Sequence, residues 1–265
     1  DEMRRFHRRF VQPDRAVFAL SGAVTETIVR SVLAEHLGRW ARGNSELPAL
    51  PVVAFRPVPG IYVLPRKLDQ ATVAIGHQGP PRHTHDQYAI AVYNRIVGEG
   101  GFGTELFSQI RSRRGLAYYI AGGVWPAAGG GLVQVDFSTK PEEAARAIDE
   151  SLRVIEKSRL ELFDVRTLEQ SKAAITRSFL FKFAEPEAVV ERAAMLQILG
   201  YEADYDARFL ANIAAVTGVD VLAAAKSRIH PDNFVVVVVG DVAGEQLNEG
   251  LRAKLPVFHF MFDDQ

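Results

Sequence analysis

The sequence of 265 residues contains no cysteine. Disulfide bonds, thiolate metal ligands and a cysteine nucleophile are therefore excluded, although this absence identifies no compartment. No apolar run approaches the roughly 18 residues needed to span a membrane, and no signal peptide is recognisable. The net charge of −1 gives no electrostatic basis for binding nucleic acid or an anionic membrane. These absences favour a soluble protein and leave its compartment unknown, with the cytoplasm and the periplasm both open.

Three catalytic signatures are missing as well: the H-x-x-E-H zinc motif, the G-x-S-x-G elbow and the P-loop. The nearest approach to a metal cluster is His83 and His85, with His77 a few residues before them. Because no helix presents these imidazoles on one face, we interpret them as part of a polar loop before a helix that Asp86 caps. We therefore predict that this chain holds no metal.

The residues that are present have an ordinary globular composition, with 48% hydrophobic and 24% charged residues. One local basic cluster consists of Arg4, Arg5, Arg8 and Arg9, which we interpret as the solvated face of a helix. The chain opens on Asp1 rather than on methionine, so we expect it to be a piece of a longer polypeptide.

An internal repeat links the two ends of the chain. A first copy at Phe10–Val24 and a second copy at Ile229–Val242 align on Pro13 and Pro231, which are 218 positions apart. Each copy has a Pro-Asp turn, an apolar run, a glycine and then a predicted helix. The repeat predicts tandem homologous domains. Residues 1–43 would be the last strand and helix of one domain, 44–59 a proline-rich linker, and 60–265 a complete second domain.

Hydrophobic periodicity and turn residues predict the elements of secondary structure. Strands are expected at 16–20, 60–64, 71–76, 117–124, 132–137 and 234–239. Helices are expected at 26–42, 86–97, 104–113, 141–157, 163–183, 186–199, 206–214, 219–229 and 244–254. Since helices and hairpin strands come in blocks, the fold class is α+β, with a mainly antiparallel sheet covered by a layer of helices.

The most informative segment is Gly98–Tyr118, with the sequence GEGGFGTELFSQIRSRRGLAY. We interpret its glycines as a tight turn between two helices rather than a phosphate site, because no strand precedes them and no lysine follows in phase. Arg111 lies at the end of the predicted helix and Tyr118 at the start of a strand. A guanidinium and a phenol can both donate hydrogen bonds to one carbonyl oxygen. Arg113 and Arg114 are expected to face solvent.

This segment, the repeat and the closing PDNFVVVVVGD resemble the insulinase-like (pitrilysin) family of zinc metallopeptidases, which includes mitochondrial processing peptidase. The resemblance covers nearly the whole chain, and FSQIRSRRGLAYYI is its most specific part. Such enzymes form a closed chamber from two halves, each with two homologous α+β domains. Zinc is bound in the first domain of one half, and an arginine and a tyrosine come from the second domain of the facing half.

The resemblance implies that Arg111 orients a substrate carbonyl and that Tyr118 donates in trans to the tetrahedral oxyanion. It implies a peptide substrate, zinc in the parent assembly only, and a partner that is a second half-unit or a missing N-terminal domain. The chain lacks H-x-x-E-H, so we expect it not to cleave peptides alone. Two alternatives stay open: a non-proteolytic structural subunit of the same fold, similar to the core proteins of respiratory complexes, and an unrelated α+β binding module.

Overall fold

A computed structural model describes residues 1–41, 49, 57–244, 247, 251 and 255–259. Its contacts divide the chain into two units. The first unit combines Asp1–Leu50 with Thr176–Ala211, and the second combines Pro51–Ile175 with Asn212–Gln265. Most of the predicted linker and of the predicted helix at 244–254 lies outside the described residues.

The second unit contains a six-stranded sheet. Its strands are β1 (Gly60–Pro65), β2 (Ala71–Gly79), β3 (Tyr119–Trp125), β4 (Gly131–Thr139), β5 (Val235–Gly240) and β6 (Val257–His259). Their order is β3-β4-β2-β5-β1-β6. Strand β4 is antiparallel to β3 and β2, and β2 is antiparallel to β5, whereas β1 is parallel to β5 and β6.

The described helices cover much of the remaining chain. They are α1 (Glu2–Phe10), α2 (Glu26–Leu37), α3 (Gln87–Val97), α4 (Ala144–Leu160), α5 (Val165–Leu180), α6 (Pro186–Ile198), α7 (Tyr205–Ala215) and α8 (Gly218–Arg228). A π-helix spans Phe107–Ser112. Among these residues no single helix has the length and apolarity of a membrane span, and only Tyr205–Ala215 joined to Gly218–Asn233 across a 103° bend meets that criterion.

One face of the sheet carries the core. Along β2 the burial alternates, so that Val73 and Ile75 are buried while Ala74 and Gly76 on the other face are partly exposed. Helices α3 and α4 contact the strands of this sheet, and α8 packs against both helices. Helix α4 contributes buried apolar side chains such as Ile148. The α+β prediction, with a mainly antiparallel sheet under a layer of helices, is confirmed.

The two repeat copies share a turn and the helix that precedes it. The Pro-Asp turns at Pro13–Arg15 and Pro231–Asn233 are both 3₁₀ turns, and a helix precedes each of them, α1 in one case and α8 in the other. After the second copy's turn the chain forms β5, whereas residues 16–20 form no strand. The predicted strand at 16–20 is wrong for this chain, because no described strand lies beside it to complete its backbone hydrogen bonds.

Several helix predictions need correction. Helix α2 ends at Leu37 rather than at residue 42, and Gly38 follows it. The predicted helix at 104–113 is α-helical only at its first turn and then becomes the π-helix. Asp86 precedes α3, but its side chain makes no capping bond there and instead binds Arg228 of α8.

Candidate functional site

The glycine-rich loop connects α3 to the π-helix, as expected for a tight turn. Gly101 and Gly103 have φ angles of 68° and 90°, which glycine adopts far more readily than other residues. The Thr104 hydroxyl donates to the Gly101 carbonyl at 3.0 Å and accepts from the Phe107 N–H at 3.3 Å. These bonds fix the start of the helical segment that carries Arg111.

Helix α3 hydrogen-bonds to the outer edge of β3 at Val124. The side-chain amide of Asn94 donates to the Val124 carbonyl at 2.8 Å, and its oxygen accepts from the Val124 N–H at 2.8 Å. A Cβ atom at position 98 would lie 2.5 Å from the carbonyl oxygen of Gly122, so glycine allows the two backbones to meet. This part of β3 is closed to strand addition, and its position relative to α3 is fixed.

Arg111 lies on the π-helix with an exposed side chain. Its guanidinium carbon is 4.8 Å from the centroid of the Phe107 ring, within the range of a cation–π contact. No hydrogen bond or ion pair of this guanidinium occurs within the described part of the chain. Short π-helical segments are frequent at functional sites, and this one exposes the Arg111 guanidinium with its five N–H donors to solvent.

The neighbouring arginines differ from each other. Arg113 is exposed, as predicted. Arg114 does not face solvent freely, because its guanidinium donates to the Gln109 carbonyl at 3.0 Å and pairs with Glu150 of α4 at 3.4 Å. Arg114 therefore anchors the end of the π-helix to α4.

Tyr118 and Tyr119 begin the strand that follows. The Tyr118 N–H donates to the Ser138 carbonyl at 2.9 Å, and Tyr119 is the register partner of the same Ser138. Two residues thus oppose one, the pattern of a β-bulge, which redirects side chains at a strand end. Both phenol side chains are about half exposed.

A cleft of about 320 Å³ opens beside Arg111. It is lined by Gly98, Glu99, Gly100, Gly101, Phe102, Phe107, Arg111, Tyr119, Ile120, Ala121 and Trp125. The structure thus brings Arg111 together with Tyr119, while Tyr118 is not among these lining residues. Sequence reasoning missed Phe102, Tyr119 and Trp125. Strand alternation was the available signal for the last two, which are six positions apart and share one face of β3.

The described residues do not fit a zinc ion. They contain no group of three or more His, Cys, Asp or Glu side chains that could hold a metal. Both ring nitrogens of His77 already have hydrogen-bond partners. Nδ1 lies 2.7 Å from the Gln78 carbonyl oxygen, and Nε2 accepts the His230 N–H at 3.0 Å. Burial lowers the pKa of His77. The hydrogen bond to Gln78 opposes this shift, and the charge of nearby His230 adds to it.

The loop of His83 and His85 is tied to α8. Arg228 donates from Nε to one Asp86 carboxylate oxygen at 2.8 Å and from Nη2 to Thr84 Oγ1 at 2.6 Å. Burial alone would raise the pKa of Asp86, but the hydrogen bonds from Arg228 and Thr84 and the guanidinium charge lower it. This arrangement supports the interpretation of a structured polar loop.

Comparisons with known proteins agree with this fold. The family described as "Peptidase M16 inactive domain" matches residues 1–175. An uncharacterized zinc protease of Mycobacterium tuberculosis is 28% identical over 157 residues, covering 58% of this chain and 36% of that protein. The chain therefore spans little more than a third of the length of this relative.

Solved structures show the same fold. The peptidase M16 inactive domain from Pseudomonas fluorescens superimposes with a TM-score of 0.74 at 22% identity, over 84% of this chain and 52% of that one. A protease from Helicobacter pylori gives a TM-score of 0.79 at 16% identity, over 90% of this chain and 58% of that one. With the family match over most of its length, this chain belongs to the peptidase M16 inactive-domain family.

Proposed function

We propose that this chain is the C-terminal, substrate-clamping part of an M16 zinc metallopeptidase that hydrolyses peptide bonds. The observation that carries the proposal is the exposed guanidinium of Arg111, which lies over the Phe107 ring and shares a cleft with Tyr119, the residue after Tyr118. The zinc-protease names of its relatives support the same activity. Zinc, which supplies an activated water when bound, would be held by another part of the parent assembly, because the residues described in this chain do not fit it.

The roles follow from donor chemistry. Arg111 would donate N–H bonds to a peptide carbonyl and so orient the substrate backbone. Tyr118 would donate its O–H to the oxyanion that forms when a nucleophile adds to the carbonyl carbon, before the C–N bond breaks. A donor aimed at that developing charge typically contributes about 2.7–4 kcal/mol to transition-state stabilisation. The bulge that Tyr118 and Tyr119 form opposite Ser138 supports this role. At a bulge, side chains do not have to alternate between the two faces of the sheet, so the Tyr118 side chain can take another direction.

We also propose that residues 1–43 are the tail of a preceding homologous domain, joined through 44–59 to a domain that spans 60–265. Helix α1 supports this, because its apolar residues Met3 and Phe6 match Val221 and Ala224, which α8 buries. Met3 is 86% exposed, whereas Val221, 218 positions later, is fully buried. The rest of that domain would cover α1, and it or a second half-unit would supply the metal.

The decisive experiment uses the full zinc-containing parent protein or its complex. Arg111→Ala and Tyr118→Phe should each lower kcat by about 100-fold or more, with little change in the free energy of unfolding. Arg113→Ala is the matched control, since Arg113 is exposed and only two positions from Arg111. Unchanged turnover in both variants would reject the assigned roles, and a parent assembly without proteolysis would favour a structural subunit.

A further inference from the structure

Three large aromatic side chains stand exposed around the cleft beside Arg111. Phe102 is 80% exposed, and Tyr119 and Trp125 are exposed by about a half and a third. Scattered exposed aromatics are ordinary on protein surfaces, but a contiguous apolar patch marks a contact site. These three come from two separate segments and meet at one cleft.

The backbone holds this aromatic cluster in place. Phe102 lies between Gly101 and Gly103, whose φ angles are positive, and its ring centroid is 4.6 Å from that of Phe107. Tyr119 and Trp125 lie on one face of β3, opposite Ser138 and Leu132 of β4. Because Asn94 fixes β3 against α3, the separation between the loop after α3 and the side chains of Tyr119 and Trp125 is also fixed.

The size and charge of the cleft limit its ligand. Its volume of about 320 Å³ is at the lower end of the range for small-molecule sites, which is roughly 300–1,000 Å³. It therefore has room for one large side chain rather than a folded partner. Its charged lining residues are Arg111 and Glu99, one of each sign, so the wall favours a neutral ring over a charged group. Aromatic walls contribute offset-stacked and edge-to-face contacts with a bound ring.

We propose that this cleft is a specificity subsite that binds an aromatic side chain of a peptide, next to the carbonyl held by Arg111. Phe102, Tyr119 and Trp125 are its specificity-determining residues. That the ligand is a peptide rests on the proposed function, whereas the preference for an aromatic ring rests on the lining of the cleft.

Trp125 provides a direct reporter for a binding test. The chain has two tryptophans, so Trp40→Phe leaves Trp125 as the only one. The 265-residue chain carrying Trp40→Phe would be titrated with acetyl-Gly-Phe-Gly-amide and with acetyl-Gly-Ala-Gly-amide while Trp125 emission is recorded. Because the phenylalanine side chain buries more apolar area and adds ring contacts, its peptide should bind about tenfold tighter or better. Equal dissociation constants, or emission that neither peptide changes, would overturn the proposal.

Variants assign the preference to the cluster. Phe102→Ala and Tyr119→Ala should each reduce the ratio of the two affinities by about threefold or more, whereas Tyr119→Phe, which keeps the ring, should retain it. Phe181→Ala is the matched control, because Phe181 is 78% exposed and lies in the first unit. A ratio that survives both alanine substitutions at the cleft would contradict the assignment, and far-UV circular dichroism checks that each variant is folded.

The two proposals fail separately. If the peptides bind selectively but Arg111→Ala leaves turnover of the parent enzyme unchanged, the catalytic role is rejected and the aromatic subsite stands. If Arg111→Ala lowers turnover while both peptides bind alike, the subsite is rejected and the clamping role stands.

Discussion

The first and second copies of the internal repeat share a 3₁₀ turn but have opposite environments. In the second copy, Val236 and Val238 of β5 are fully buried between β1 and β2. Their counterparts 218 positions earlier, Phe18 and Leu20, are each about half exposed. The same pattern of turn and apolar run thus gives a central strand in one copy and, among the described residues, a segment outside any strand in the other.

The difference separates local from non-local causes of structure. Proline fixes φ and favours the 3₁₀ turn in both copies, whatever surrounds them. Burial and strand formation require neighbouring strands, which the second copy has and the first copy lacks among the described residues. A turn motif alone therefore predicts where the chain bends, and the pairing of strands decides what is stabilised.

The largest expected effect comes from a charge placed at matched positions of the two copies. Val236→Asp buries an unpaired carboxylate in β5 and should lower the free energy of unfolding by about 4 kcal/mol or more. Phe18→Asp changes a half-exposed side chain and should cost no more than about 0.5 kcal/mol. Urea denaturation followed by circular dichroism measures both values.

A milder pair keeps this test informative if Val236→Asp does not fold. Val236→Ala should cost about 2 kcal/mol through a cavity in the core, and Phe18→Ala should stay within about 0.5 kcal/mol. Equal losses at the two positions would show that the first copy is packed as tightly as the second.

The glycine that ends each apolar run gives the next effect. A Cβ atom at Gly240 would lie 2.8 Å from the Ala71 Cα, whereas a Cβ atom at Gly22 meets nothing within 4 Å. Gly240→Ala should therefore cost about 2 kcal/mol through overpacking. Gly22→Ala should cost about 1 kcal/mol, from its φ of 134° alone. A larger loss at Gly22 than at Gly240 would contradict this explanation.

The sequence predicted the positions of helices and strands better than the contacts between them. Period-two alternation located β2 and the hairpin of β3 and β4, since burial of one face enforces that pattern. It also predicted a strand at 16–20 that does not form, because a strand depends on a partner strand that local sequence does not reveal. Likewise Arg111 was found from a string of residues, whereas its position beside Phe102 and Trp125 depends on the loop path and on β3. The π-helix was not predicted either, since its register follows from packing.

A smaller effect distinguishes the helices that precede the two turns. Helix α8 begins with a capping box in which Thr217 and Asp220 exchange hydrogen bonds, whereas Asp1 makes no side-chain capping bond to α1. Thr217→Ala should lower the free energy of unfolding by about 1 kcal/mol. Asp1→Ala should leave it unchanged within error. A loss at Asp1 that equals the loss at Thr217 would mean that α1 is stabilised as α8 is.

The smallest effect at neutral pH involves His77, which binds the second copy through the His230 N–H. Because the folded-state pKa of His77 is lowered, the unfolded chain binds more protons near and below its unfolded pKa of about 6.5. The contribution of His77 to the free energy of unfolding is therefore complete above that pH. It is lost as the pH falls through 6.5 toward the pKa of His77 in the folded state. Urea denaturation at pH 7.5 and 5.5 should show this loss, and His77→Gln should reduce it because glutamine does not titrate. His36→Gln, at an exposed position of α2 in the first unit, is the control. If His77→Gln leaves the decline unchanged, the acid sensitivity of the fold has another origin, and the bond to His230 does not link the second copy to pH.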